Sequence, residues 1–285
     1  MNIFQGFILG LIQGVGEFLP ISSSGHLSLA ENLLGLSDTP LIFDLFLHIA
    51  TLLAVCIFFR KKIWSLLCCL GRWITKRQKK ENRIGYYDDI LCNTEEQGHK
   101  TIIAIIIATF VTAIIGLLVD KLLPYFSLKF ISGCFIVTAL MLILSSMIID
   151  STQYKNEVVN KNNVITTKKA IIIGIMQGFG TIPGISRSGS TISAALFCNI
   201  DSKTAGDFSF ILSIPSILGA FILKLKDIKL MNEAISILPL IVGFITSFVV
   251  GYFSLKFLMN IIRKGKLSYF AFYLIPLGLL GLIFF

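Results

Sequence analysis

GLIQGVGEFLPISSSGH, residues 10–26, and GIMQGFGTIPGISRSGS, residues 174–190, are two versions of one segment. At a constant offset of 164, with no gap, eight of the seventeen positions are identical. Gly10, Gln13, Gly14 and Gly16 pair with Gly174, Gln177, Gly178 and Gly180; Ile21, Ser22, Ser24 and Gly25 pair with Ile185, Ser186, Ser188 and Gly189. Glycine alone recurs by chance in apolar helices. A shared Gln and a shared Ser-x-Ser-Gly are not explained by composition, so the chain reads as an internal duplication.

What surrounds these copies sets their medium. Of 285 residues, 55% are hydrophobic and 14% charged, with a mean hydropathy of +0.83. Soluble domains carry about 25% charged residues, so a water-soluble globule, a disordered tail and a disulfide scaffold are all excluded. Runs long enough to cross an apolar core of about 30 Å are Leu41–Phe59, Ile102–Val119, Phe130–Ile149, Phe208–Leu223, Ala234–Leu255 and Leu267–Phe285. The fourth is shorter than the rest and reads as broken at Pro215. Residues 2–39 and 170–200 start apolar, then meet Pro, Gly and Ser near their middle, as re-entrant hairpins do. The fold class is therefore an all-α polytopic membrane protein in a single membrane domain.

Charge orients the spans. The net charge of +9 comes from 25 Lys and Arg against 16 Asp and Glu. Residues 60–100 hold ten Lys or Arg, 120–129 two, 150–169 four, 224–233 three and 256–266 four. Positive loops stay in the cytoplasm, which places 60–100, 150–169 and 256–266 inside. Within 60–100, Ile63–Thr75 reads as an interfacial helix and Lys76–Lys100 as a polar loop. There is no basic stripe with interleaved aromatics, which argues against nucleic acid. The N-terminus lacks the basic start and cleavage site of a removed signal peptide. Cysteines 56, 68, 69, 92, 134 and 198 form no CxxC and read as small hydrophobes.

Three spans separate the two copies, so the second enters the bilayer from the opposite side. The expectation is an inverted repeat, each half a re-entrant hairpin plus three transmembrane helices. Repeat one covers about 1–149 and repeat two about 170–285. Such halves build polar sites near the midplane from broken helices, and irregular backbone at that depth must line a cavity or lie buried in protein.

Both tips begin a helix, since Ser is a preferred N-cap. Two helix N-termini with Gly and hydroxyls make an anion cradle, drawn from Ser22, Ser24 and Gly25 on one tip and Ser186, Ser188, Gly189 and Thr191 on the other. Arg187 adds a planar fork suited to phosphate. The copies differ where chemistry needs them to: Glu17 faces Thr181, Ser23 faces Arg187 and His26 faces Ser190. A charge inside a membrane is a functional hypothesis by default. Plainer readings stand beside it. Gly10, Gly14, Gly174 and Gly178 are also a close-packing pattern, and Glu17 with Arg187 also makes a structural ion pair. Asp44 and His48 share a helix face, either supporting the site or packing. Asp201 reads as a helix cap, and His99 as solvated.

At these residues the chain resembles the BacA-type undecaprenyl pyrophosphate phosphatases. The motifs stand as Gln13-x-x-x-Glu17, Pro20-Ile21-Ser22-Ser23-Ser24-Gly25-His26, and Pro183-Gly184-Ile185-Ser186-Arg187-Ser188-Gly189-Ser190-Thr191. The resemblance extends over nearly the whole chain. It implies hydrolysis of a C55 polyprenyl diphosphate to the monophosphate that carries cell-wall precursors. It further implies a divalent cation, Mg²⁺ or Ca²⁺, a multi-pass protein of the bacterial plasma membrane with its site open to the outer face, and tolerance of bacitracin, which competes for the lipid rather than binding the protein. Gln13 departs from the usual acidic residue of the motif and leaves one carboxylate fewer for the metal.

On this reading Glu17, with Gln13, holds the cation, Arg187 and the tip N–H groups bind phosphate oxygens, and Ser23 is the nucleophile with His26 as general base. Attack by water, with Glu17 as base, stays open. So do a polyprenyl-phosphate flippase and a transporter without hydrolysis. Oligomerisation is left open, since only generic small-residue packing speaks to it.

Overall fold

The computed structural model describes residues 1–36, 39–75, 91, 94–123, 125–153, 164–228 and 237–285. Most of the expected polar loop 76–100, Cys92 and the start of the fifth span at 234–236 lie outside the described residues. In chain order the helices are α1 (Ile3–Gly16), α2 (Ser23–Leu33), α3 (Leu41–Phe58), α4 (Arg60–Thr75), α5 (Glu95–Leu122), α6 (Leu128–Gln153), α7 (Thr167–Phe179), α8 (Arg187–Phe197), α9 (Ser202–Ile228), α10 (Ile237–Arg263) and α11 (Ala271–Phe284), the last preceded by a 3₁₀ turn, Leu267–Phe270. Among the described residues six helices are long and apolar enough to cross a membrane: Leu41–Phe58, Glu95–Leu122, Leu128–Ile148, Ser202–Leu225, Ile237–Arg263 and Leu267–Phe284. They are the six read from the sequence.

Three details differ. The fourth span is not broken: α9 runs through Pro215 without interruption. Proline removes one N–H from the ladder, but Ser216 Oγ donates to Leu212 O at 3.1 Å and Ser213 Oγ to Phe210 O at 2.7 Å, so nearby carbonyls keep partners. The polar segment 95–101 is not loop but the first turns of α5. Thr94 caps it by accepting from Gln97 N at 3.2 Å, and Glu95 and Glu96 face the positive end of the helix dipole. His99 is stacked on Trp73, with ring centroids 4.8 Å apart, rather than simply solvated. A helix, α4, covers the stretch expected to be an interfacial helix. It is tied to α5 by Arg72–Glu95 at 2.8 Å and to α9 by a Lys62–Asp207 ion pair. Asp201 caps α9 through Thr204 N at 3.0 Å.

The duplicated segments fold alike. The first residues of α1 and α7 and both bounds of α2 and α8 differ by the offset of 164 seen in the sequence. Helix α1 packs on α10, and α7 on α5. Glycine makes this possible by removing the Cβ from the seam. A Cβ at Gly10 would lie 2.5 Å from Gly243 O, and one at Gly174 would lie 2.7 Å from Ala108 O. Both obstacles are backbone, which cannot rotate away. Gly10→Leu should therefore destabilise the protein by at least about 1–3 kcal/mol, the usual overpacking cost, read as a lower thermal midpoint in detergent. An unchanged midpoint would mean that the α1–α10 seam opens freely.

Candidate active site

Each hairpin turns inside the protein, and the two turns touch. Ser22 is the N-cap of α2 and sits at φ 69°, in the left-handed region. For a serine that conformation is costly and needs support from its surroundings. Support comes from the other tip: Gly184 N donates to Ser22 Oγ at 3.0 Å. Gly184 itself has φ 91°, and a Cβ there would lie 2.4 Å from Ile131 O. Thr138, on α6, holds the second tip by donating to Gly184 O at 3.0 Å and accepting from Ser186 N at 3.1 Å.

Glu17 lies where the tips meet. It follows the last turn of α1 and is only 6% exposed. Its Oε1 accepts from Arg187 Nη2 at 2.5 Å; its Oε2 accepts from Ser23 Oγ at 2.8 Å and Gln13 Nε2 at 3.0 Å. His48 Nε2 stands 3.8 Å from the same oxygen. A carboxylate at the C-terminal end of a helix faces an unfavourable dipole, so these partners set its position. Arg187 supplies the opposite charge from the first residue of α8. Of the side chains bonded to Glu17, two leave a buried atom without a hydrogen-bond partner: Arg187 at Nη1 and Gln13 at Oε1. An orphaned guanidinium nitrogen invites an anion, and an orphaned amide oxygen invites a cation.

The structure therefore brings together Gln13, Glu17, Ser23, His48 and Arg187. It does not bring His26 to Ser23. The His26 ring lies on Ser22 O through Nδ1, at 2.8 Å, and on Tyr273 Oη through Nε2, at 2.8 Å. Spacing along a helix placed His26 one turn from Ser23, but a side chain pointing to its own preceding turn and a distant helix cannot also serve Ser23. The hydrogen bond of Ser23 Oγ goes to Glu17 Oε2.

Several residues expected on phosphate also make bonds that hold the fold. Ser22 and Ser186 accept from Gly25 N and Gly189 N as N-caps, at 3.4 and 3.0 Å. Ser188 Oγ lies 3.2 Å from Ser186 Oγ. Thr191 Oγ1 donates to Arg187 O at 2.8 Å and shares a 2.5 Å contact with Ser209. Gly25 and Gly189 let the tips approach each other: a Cβ at Gly25 would lie 2.9 Å from Gly184 N, and one at Gly189 would lie 3.2 Å from Pro20 Cβ. Ser24 is half-buried, 3.4 Å from Ser22 Oγ. Asp44 supports His48 with its carbonyl, at 2.8 Å from Nδ1, and not with its carboxylate. The sequence offered no signal for Thr138 or Tyr273, which are isolated polar residues in apolar helices.

Among the described residues no three His, Cys, Asp or Glu cluster as a metal site. One carboxylate and one free amide oxygen, Glu17 and Gln13 Oε1, still fit a hard cation that draws its other ligands from a phosphate substrate.

Comparison with known proteins gives one family and several relatives. The family model described as bacitracin resistance protein BacA matches residues 6–280. An undecaprenyl-diphosphatase of Treponema denticola is 50% identical over 279 residues, covering 98% of this chain and 96% of the relative. Another, from Carboxydothermus hydrogenoformans, is 38% identical over 99% of this chain and 97% of its own length. A third, from Borrelia recurrentis, is 34% identical over 100% and 98% respectively.

Proposed function

Because the chain belongs to the BacA family of bacitracin resistance proteins, we propose that it is an undecaprenyl-diphosphatase, a membrane hydrolase that returns a polyprenyl diphosphate to its monophosphate. The observation that carries this reading is the meeting of Glu17, Ser23 and Arg187 from two hairpin tips, with one guanidinium nitrogen left unpartnered. A transporter or flippase needs a phosphate cradle but no hydroxyl hydrogen-bonded to a buried carboxylate.

Phosphoryl transfer depends mainly on positioning and charge neutralisation. Arg187 binds oxygens of the terminal phosphate, exchanging its bond to Glu17 for bonds to substrate. The free N–H groups at the start of α2 and α8 add donors. Ser23 Oγ attacks the terminal phosphorus, its proton passing to Glu17 Oε2, and the anhydride P–O bond breaks to release polyprenyl phosphate. Water then hydrolyses the phosphoserine, returning the Ser23 proton and giving inorganic phosphate. Glu17 and Gln13 Oε1 would hold Mg²⁺ or Ca²⁺, which when bound offsets charge on the phosphate oxygens. His48 supports Glu17 from behind.

The same reading extends to the setting. Three spans lie between the hairpins, so their approach from opposite faces follows from the odd count, and the halves 1–149 and 170–285 form the inverted repeat. The basic loops put 60–100 in the cytoplasm and the site toward the outer face of a bacterial plasma membrane. Bacitracin tolerance follows if the antibiotic competes for the lipid diphosphate rather than for the protein.

The test is phosphate release from farnesyl and undecaprenyl diphosphate by detergent-purified protein. Chelation by EDTA should stop release and Mg²⁺ or Ca²⁺ should restore it. Because the protein supplies so few ligands, cation affinity should rise when the diphosphate is present. No release from folded protein with metal restored would sink the phosphatase reading and bring the flippase forward.

A further inference from the structure

The last helix reaches the first hairpin at a point that the steps above do not use. Tyr273 Oη lies 2.8 Å from His26 Nε2, and the two rings stack with centroids 5.6 Å apart and planes 18° from parallel. Phe135 lies against the same imidazole, with centroids 5.0 Å apart. On the other nitrogen, Nδ1 is 2.8 Å from Ser22 O. A carbonyl oxygen only accepts, so Nδ1 carries the hydrogen. The neutral ring then has a bare lone pair at Nε2, and the phenol must be the donor.

We propose that Tyr273 is a positioning residue for His26: its hydroxyl, donated to Nε2, holds the neutral Nδ1–H imidazole in place against the first turn of α2. This rests on the phosphatase reading only for its consequence in turnover. The carbonyl that Nδ1–H engages belongs to Ser22, whose hydroxyl ties the two tips through Gly184 N. The tautomer and the tip geometry are therefore linked through one residue. A neutral His26 also leaves Arg187 as the cation at Glu17, and it keeps Nε2 in the form that can accept a proton when the phenol turns away. Tyr273 is 49% exposed, so the phenol has room to do so.

A plain structural role would be to satisfy a phenol on an apolar helix, and the experiment separates the two. The protein has three histidines, so ¹⁵N-histidine NMR in lipid nanodiscs is assignable with His26→Gln. Wild type should show His26 as the Nδ1–H tautomer with Nε2 hydrogen-bonded, and Tyr273→Phe should shift the Nε2 resonance to that of an unbonded lone pair. The same variant should lower kcat by about tenfold, the worth of one hydrogen bond to a polar group, with KM little changed. In a His26→Gln background, Tyr273→Phe should cost nothing further. An unchanged His26 signal in Tyr273→Phe would overturn the proposal, and so would an equal loss of kcat in the His26→Gln background. If wild type released no phosphate, the phosphatase reading would fall while the Nε2 shift would still decide the role of Tyr273.

Discussion

Ser23→Ala is expected to cut phosphate release by on the order of 10⁴-fold or more, as loss of a nucleophile does elsewhere. The hydroxyl is hydrogen-bonded to Glu17 Oε2 at 2.8 Å, so a polarised O–H already stands beside an acceptor buried away from water. Its removal deletes one methylene-borne oxygen and leaves Glu17 with Arg187 and Gln13, so the fold and lipid binding should persist. His26→Gln should lose clearly less, because its ring nitrogens serve Ser22 and Tyr273 rather than Ser23. The measurement is single-turnover hydrolysis with lipid affinity followed in parallel. Release from Ser23→Ala near the wild-type rate would assign the attack to water.

Arg187→Ala should lower kcat by about 10²–10³-fold, the range for losing one preorganised donor to a developing charge. It also has a cost in the folded state. Glu17 would remain buried with its charge uncompensated, a situation that typically costs about 3–5 kcal/mol. The two effects can be separated. Glu17→Gln with Arg187→Ala removes the stranded charge and should recover the thermal midpoint, while phosphate release stays at or below that of Arg187→Ala. Recovery of release together with stability would show that the pair is structural, and that the phosphate is bound by the tip N–H groups alone.

The sequence already contained the spans, the two helix breaks and the pairing of Ser-Gly tips. These are local properties: hydropathy over one crossing, Gly and Pro where a helix must stop, and a repeat legible by offset. It also supplied Glu17, Ser23 and Arg187, because a charge or hydroxyl cluster in an apolar run has few bland explanations. Where local reasoning failed, tertiary context supplied the missing term. Pro215 looked like a break because a lone helix loses a hydrogen bond there, yet serine hydroxyls on the same helix supply nearby carbonyls. Gly25 and Gly189 looked like approaches for a ligand, whereas the space beside them is taken by Phe135 and Gly184 at the first and by Ser186 and Pro20 at the second.

The division follows from sequence separation. Periodicity and composition act over a turn or a span, so fold class and candidate residues could be read along the chain. Which candidates meet depends on distances between residues far apart in it. Glu17 and Arg187 are 170 positions apart, and His26 and Tyr273 are 247. Helical spacing put His26 on Ser23, but rotamer and packing turned it toward α11 and gave Ser23 to Glu17. The sequence thus determined the membrane spans and a pair of matching Ser-Gly tips; only the tertiary structure decided which carboxylate faces the hydroxyl, because that depends on how two hairpins and a distant helix pack.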